Sequence, residues 1–252
     1  SALGVIQEQN DLDMSTIFSV HQPNYLPWLG YFHKMTFSDI FVFLDSVQYT
    51  SRTYTNRAFV VQGGRKTRLS VPVKVRDSRA RISEGSVDTA DFADKHLESF
   101  RHAYGKCRHY ERIVDLLRPH YEAGQTSLAE FNMGLIKTIA VFLGLKPQFL
   151  TLSELSIESK KNQMMIDTAK ACGADIYVSG LGAKTYIQGN EELYAAAGIT
   201  LAYQNFEHPL YRQREEPFVP MCSVLDLLFN EGDKAGEILT SQPQPPFEIW
   251  LG

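Results

Sequence analysis

Apolar residues along this chain change period several times, and each change predicts a change of element. "TIFSV" is β-branched and aromatic, which predicts a strand. "LPWLGYFHKMTF" puts Trp28, Tyr31, Phe32 and Met35 at helical spacing, with Pro27 suited to a first helical turn. "DIFVFLD" is apolar on both faces, as a buried parallel strand is. Strand, short helix and strand make a βαβ unit.

From residue 54 to 88 the pattern becomes a ribbon. "RAFVV" and "KTRLSVPVKV" flank "QGGR", which predicts a β-hairpin with one wet face. Residues 91–146 read as helices: "DKHLESFRHAYG", "RHYERIVDLLRPHYEAG" and "SLAEFNMGLIKTIAVFLGL". The last opens on Ser127 with Glu130 three residues on, a capping-box signature. Strands then alternate with helices again: "QFLTLSEL", "DIYVSG" and "TLAYQNF" against "NQMMIDTAKACG" and "NEELYAAAG". "CSVLDLLFNEG" predicts a final helix. Such alternation implies parallel pairing with right-handed crossovers. The expected fold is α/β, a three-layer parallel (Rossmann-like) sheet with a β-hairpin and a helical insertion. One domain is expected over 15–240, containing the 54–88 ribbon and the 91–146 helical segment. Met14 is a candidate natural start, which would make 1–14 a flexible extension. Residues 241–252, with "SQPQPPFEIW", read as an extended tail.

Composition narrows the picture. At 252 residues and 44% hydrophobic, the chain suits one large core. A net charge of -4 gives no general pull towards nucleic acid or anionic lipid. The three cysteines are far apart and form no CxxC, which points away from a disulfide framework or zinc site and towards a cytoplasmic protein. No apolar run approaches the ~20 residues of a membrane span, so no membrane insertion is expected.

In a parallel sheet, ligands gather beyond the carboxyl ends of the strands. Four predicted strands run into polar loops there: "HQPNYLP", "DSVQYTSRTYTNR", "SGLGAKTY" and "NFEHPLYRQ". The first offers His21, Gln22, Asn24 and Tyr25 ahead of a helix N-terminus suited to anions. Taken alone, His21 reads first as a core histidine donating to a backbone carbonyl. Tyr31, His33 and Lys34 lie further along; His33 reads as solvated and Lys34 stays open. The second offers Asp45, Gln48, Asn56 and Arg57, whose fork suits a carboxylate or phosphate. Asp45 is either a cap for the next loop or a ligand, base or metal anchor. The third offers Ser179, Gly180, Lys184 and Tyr186, with glycines allowing close backbone approach. A plain strand-to-helix turn is the equal alternative. The fourth offers His208, Tyr211 and Gln213. No metal-spaced Cys/His set and no GxSxG elbow occurs.

Together with "RLSVPVK" and "FVPMCSVLDLLFN", these segments resemble the WbqC-like family, in family order over about residues 17–232. The resemblance implies a bacterial protein encoded among genes for O-antigen, other surface polysaccharides or natural products. The family pattern has Trp where Tyr54 stands. A looser, fold-level analogy is to nucleotidyl-transfer and pantothenate-synthetase-like ligases.

The expected function is an acyl- or aminoacyl-transferring enzyme that joins its group to the amine of a small molecule, such as a nucleotide-linked amino sugar. ATP with Mg is one candidate co-substrate, for activating a carboxylate. His21 and Lys184 would stabilise phosphate charge, Arg57 would clamp an anion, and His208 or Asp45 would be the base. Tyr25 and Tyr31 would stack on a sugar or base. Two alternatives stand beside it: a transferase with a pre-activated donor and no ATP, and a non-catalytic ligand-binding or scaffold subunit. Oligomeric state is left open.

Overall fold

The computed structural model describes residues 15–251. The extension read over 1–14, with Met14, lies outside the described residues. The first βαβ unit is β1 (Ile17–His21), α1 (Leu29–His33) and β2 (Ile40–Phe43). β1 and β2 pair in parallel, Phe18 opposite Ile40 and His21 opposite Phe43. Pro27 does not enter the helix: Trp28 is the N-cap residue of α1.

A hairpin follows, β3 (Arg57–Gln62) against β4 (Arg65–Ser70). Its turn residues Gly63 and Gly64 have φ of 59° and 66°. Two positive values match the mirror-image turn whose twist suits paired strands. The second strand stops at Ser70, short of the "VPVKV" expected to continue it. Val71 N–H bonds back to Asn56 O, and Pro72 brings no N–H for a ladder.

β5 (Ser86–Asp88), α2 (Ala93–Tyr104), α3 (Tyr110–Glu122), β6 (Gln125–Ser127) and α4 (Leu128–Phe142) come next. Ser127 Oγ accepts from Glu130 N–H at 3.0 Å, so half of the expected capping box forms. The Glu130 carboxylate accepts from Thr126 Oγ1 at 3.0 Å instead of closing it. The chain returns to the sheet with β7 (Gln148–Thr151), α5 (Lys161–Cys172), β8 (Ile176–Ser179), α6 (Lys184–Ile187), α7 (Glu192–Ala196) and β9 (Thr200–Gln204). It ends with α8 (Val224–Glu231), α9 (Ala235–Thr240) and β10 (Phe247–Ile249).

Six strands form the main sheet in the order β10-β9-β8-β1-β2-β7. Five run parallel, and β10 runs antiparallel on β9. The fold is therefore mixed α/β with a mostly parallel sheet. Alternate residues of β2 enter different cores. Phe41 and Phe43 join Leu135, Ile139 and Phe229, from α4 and α8; Ile40 and Val42 join Met165, Ile166 and Tyr194, from α5 and α7. That explains why "DIFVFLD" carries no polar alternation. Among the described residues, no helix is long and apolar enough to cross a membrane.

Candidate functional site

β1, β2, β8 and β9 end at one edge because they run parallel. The strand order turns back between β1 and β8, and in open α/β sheets a ligand crevice opens at such a point. Polar residues finish the strands there: His21 on β1, Ser179 on β8 and Gln204 on β9.

Lys34, directly after α1, lies in the middle of this edge. Its side chain is 4% exposed, and Nζ donates to Val20 O at 2.9 Å. Nζ also lies 6.0 Å from the Phe41 ring centroid. A Cβ added at Gly180 would sit 3.7 Å from Nζ, so the amine spans from β1 to the turn after β8. Burial makes the charged form costly and lowers Lys34 to about 7. A lysine in that range gains and loses its proton near neutrality.

His21 stands next to it, partly exposed. Its Nδ1 lies 3.2 Å from Gln22 O. A carbonyl only accepts, so the proton sits on Nδ1 and Nε2 keeps its lone pair. Among the described residues Nε2 has no hydrogen-bond partner. Tyr31 donates its hydroxyl to the same Gln22 carbonyl at 3.0 Å, and its ring lies 4.5 Å from the imidazole. Burial, and then the Lys34 charge, push the His21 imidazole well below its usual range, which keeps it neutral at neutral pH.

Gln204 completes the floor. Its amide nitrogen donates to Gly30 O at 2.8 Å and to His33 Nδ1 at 3.0 Å. A Cβ at Gly180 would lie 3.8 Å from Gln204 Oε1. A cleft of about 660 Å³ opens beside it, lined also by Lys184, Tyr203 and Asn205. Lys184 Nζ sits 5.2 Å from the Tyr203 ring centroid. The edge thus holds an imidazole that can take a proton, an amine that titrates near neutrality, and a glycine that lets a ligand come close. Among the described residues, no group of three or more His, Cys, Asp and Glu side chains could hold a metal ion.

Comparison with known proteins matches the WbqC-like protein family over residues 22–238. The chain belongs to that family. Uncharacterized protein Rv1507c of Mycobacterium tuberculosis (strain ATCC 25618 / H37Rv) is 30% identical over 224 residues, covering 88% of this chain and 96% of that protein. No solved structure matches.

The WbqC-like motifs divide between this edge and the scaffold around it. His21, Gln22, Tyr31, Lys34, Ser179 and Gly180 come together, with Lys184 at the neighbouring cleft. The ring of Tyr31 is not free to stack on a ligand: it is 1% exposed and packs on His21, Phe32 and Phe41. Tyr25 is also 1% exposed. Its hydroxyl meets His96 Nδ1 at 2.6 Å and Tyr121 OH at 2.5 Å, and Phe131 stacks on its ring. His33, read as solvated, is 1% exposed, and burial lowers it to about 4. α1 turns its last residue into the core, where a charge would be unsolvated. Asn24 is buried.

Asp45 serves as a loop cap. Its carboxylate accepts from Ser153 N–H at 3.0 Å and Ser153 Oγ at 2.5 Å, tying the loops after β2 and β7 together. Asp45→Ala removes two hydrogen bonds to a charged carboxylate and is expected to cost about 1.5–3 kcal/mol. Denaturant midpoints should fall while turnover per folded molecule stays within about twofold. Lost turnover at unchanged stability would reverse the assignment.

Gln48 donates to Ser78 O at 2.7 Å, and Asn56 donates to Val71 O at 3.2 Å, both as loop fasteners. Arg57 bonds Arg52 O at 3.2 Å while its Nε is buried without a partner. Tyr186 is 81% exposed. His208 is spent on its own loop: Nδ1 lies 3.0 Å from Pro209 O, and Nε2 accepts from Met221 N–H at 3.2 Å. Tyr211 and Gln213 both donate to Asp226 at 2.7 Å, fastening that loop to α8. Gln204 was missed by sequence reasoning. Its signal is a polar residue closing an apolar strand, the same signal that marks His21.

Proposed function

We propose that this WbqC-like chain is an enzyme that transfers an acyl or aminoacyl group to the amine of a small molecule, forming an amide at the edge between β1 and β8. The observation that carries the reading is the pairing of His21, whose Nε2 lone pair is free, with the buried Lys34 amine. The strand order, which reverses between β1 and β8, supports a three-layer, Rossmann-like reading of the sheet with its ligand at that point.

The acceptor amine attacks the acyl carbonyl, and a C–N bond forms. The attacking nitrogen becomes strongly acidic, and its proton passes to His21 Nε2. The bond to the leaving group then breaks, and the electron pair leaves with that group. Burial, and then the charge of Lys34 beside it, set how readily the imidazole holds the proton. Gly180 lets the substrate backbone or sugar approach without a Cβ in the way.

The donor is either a carboxylate activated by ATP with Mg or an acyl group activated beforehand. Surface polysaccharide or natural-product assembly, with a nucleotide-linked amino sugar as acceptor, is the setting the resemblance implies. Purified protein is incubated with panels of amino acids or acyl donors and amino sugars, with and without ATP and Mg, and products are read by mass spectrometry. Amide product in either arm supports the proposal, and the arm that gives it names the donor. No product in both arms, with function in cells retained by His21→Ala, sinks it in favour of a scaffold subunit.

A further inference from the structure

We propose that a second binding site, for a small anion bearing a diphosphate group, lies between the turn after α2 and the C-terminal end of α8. A cavity of about 600 Å³ opens there, lined by five cations: Lys106, Arg108, Arg212, Arg214 and Lys234. That volume falls within the usual range for small-ligand sites.

The charge in this cavity is not balanced from within. The two carboxylates in the lining are already engaged: Asp233 accepts from Arg112 at 2.5 Å, and Glu231 accepts from Arg212 N–H at 3.2 Å. Among the described residues, none of the five cationic side chains has a hydrogen-bonded or ion-paired partner. Two helix C-termini, those of α2 and α8, each contribute about half a negative charge. With Glu231, and with Glu215 and Asp226 acting on Cys107 from behind the floor, they offset roughly four of the five cations and leave an excess of about one positive charge. The whole chain carries -4, so this excess is local.

The floor of the cavity is firmly built. The His109 ring lies against Gly232, where a Cβ would meet Nδ1 at 2.4 Å. Cys107 Sγ donates to Asn230 Oδ1 at 3.6 Å. Burial pushes the Cys107 thiol up to about 11, so the floor adds no thiolate to the charge. Three arginines whose forks each bond two oxygens, with two lysines as point charges, suit linked phosphates better than a single carboxylate. Arg212 and Arg214 belong to the loop that leaves β9 after Gln204. A ligand here would therefore hold the chain segment adjoining the β1–β8 edge.

Inorganic pyrophosphate and ADP are titrated separately at roughly 0.15 M salt, by calorimetry and by thermal shift. Binding of either to the full chain is expected, weakened at least about tenfold in the Arg212→Ala/Arg214→Ala double variant, since two charged hydrogen-bonding forks are lost. Equal binding of both means a bare diphosphate is the ligand; tighter ADP binding means a nucleotide. Arg76→Ala, at a side chain 85% exposed elsewhere, should change nothing. If the double variant does not fold, Lys106→Ala/Lys234→Ala replaces it. The proposal is overturned if neither ligand binds, or if a folded variant binds as wild type does. His21→Ala should bind pyrophosphate unchanged, so a failure of the amide-forming reading leaves this result readable.

Discussion

Lys34→Met raises the melting temperature at pH 7 and flattens the pH dependence of stability between about pH 7 and 10.5. The folded chain holds this amine at about 7, against 10.5 for a free lysine. Between those values the unfolded chain keeps a proton that the folded chain has lost. Stability therefore rises with pH across the window, and the folded state carries the full penalty below it. At about 1.4 kcal/mol per pH unit the whole swing is about 5 kcal/mol. Methionine fills similar space without a charge but leaves Val20 O without the Lys34 donor, at about 1–3 kcal/mol. The net gain at pH 7 is then about 2–4 kcal/mol, a rise of roughly 4–16 °C for a chain this long. Near pH 10 the gain vanishes or reverses. Urea titrations of both proteins from pH 6 to 10.5 check this; parallel slopes would mean that Lys34 is not held near neutrality. A gain in stability from removing a polar group marks a residue kept for function.

His21→Ala is expected to lower the rate of amide formation by about 10²–10⁴-fold, the usual worth of a positioned acid or base. The loss falls on kcat more than KM, because the proton moves only as the C–N bond forms. Stability should change modestly, through the lost packing of the ring on Tyr31, since its side-chain hydrogen bond to Gln22 O lies close by in sequence. A second readout does not need the substrate. In Lys34→Met the His21 imidazole loses the neighbouring charge that helps to lower it, so its titration in NMR spectra should move up. A His21 titration unmoved by Lys34→Met would break the pairing, whatever the activity.

The sequence carried those parts of the fold that depend on near neighbours. The period change at residues 17–43 gave a βαβ unit, Gly63 and Gly64 gave a hairpin, and Ser127 gave a cap. It also placed His21 and Ser179 at strand ends. What it did not carry were partners far along the chain. Tyr25 sits between prolines and reads as a turn residue, yet its hydroxyl meets His96 and Tyr121 from two distant helices. Asp45 is held by Ser153, 108 residues away. α1 spans only Leu29–His33, too short for periodicity to say which way its last residue points. Packing against Phe206 and Gln204 turns His33 inward, and Lys34 follows it.

β10 gives the sheet a property that none of its parallel strands has. Without it, β9 would present a row of unpaired N–H and C=O groups, a template for another chain. Phe247, Glu248 and Ile249 fill that row opposite Gln204, Tyr203 and Ala202. Pro243, Pro245 and Pro246 lead into the strand, and their missing N–H groups keep it from lengthening at that end. Three residues at the rim thus guard against self-association, and the strand they guard is the one that carries Gln204 to the cleft beside Lys184.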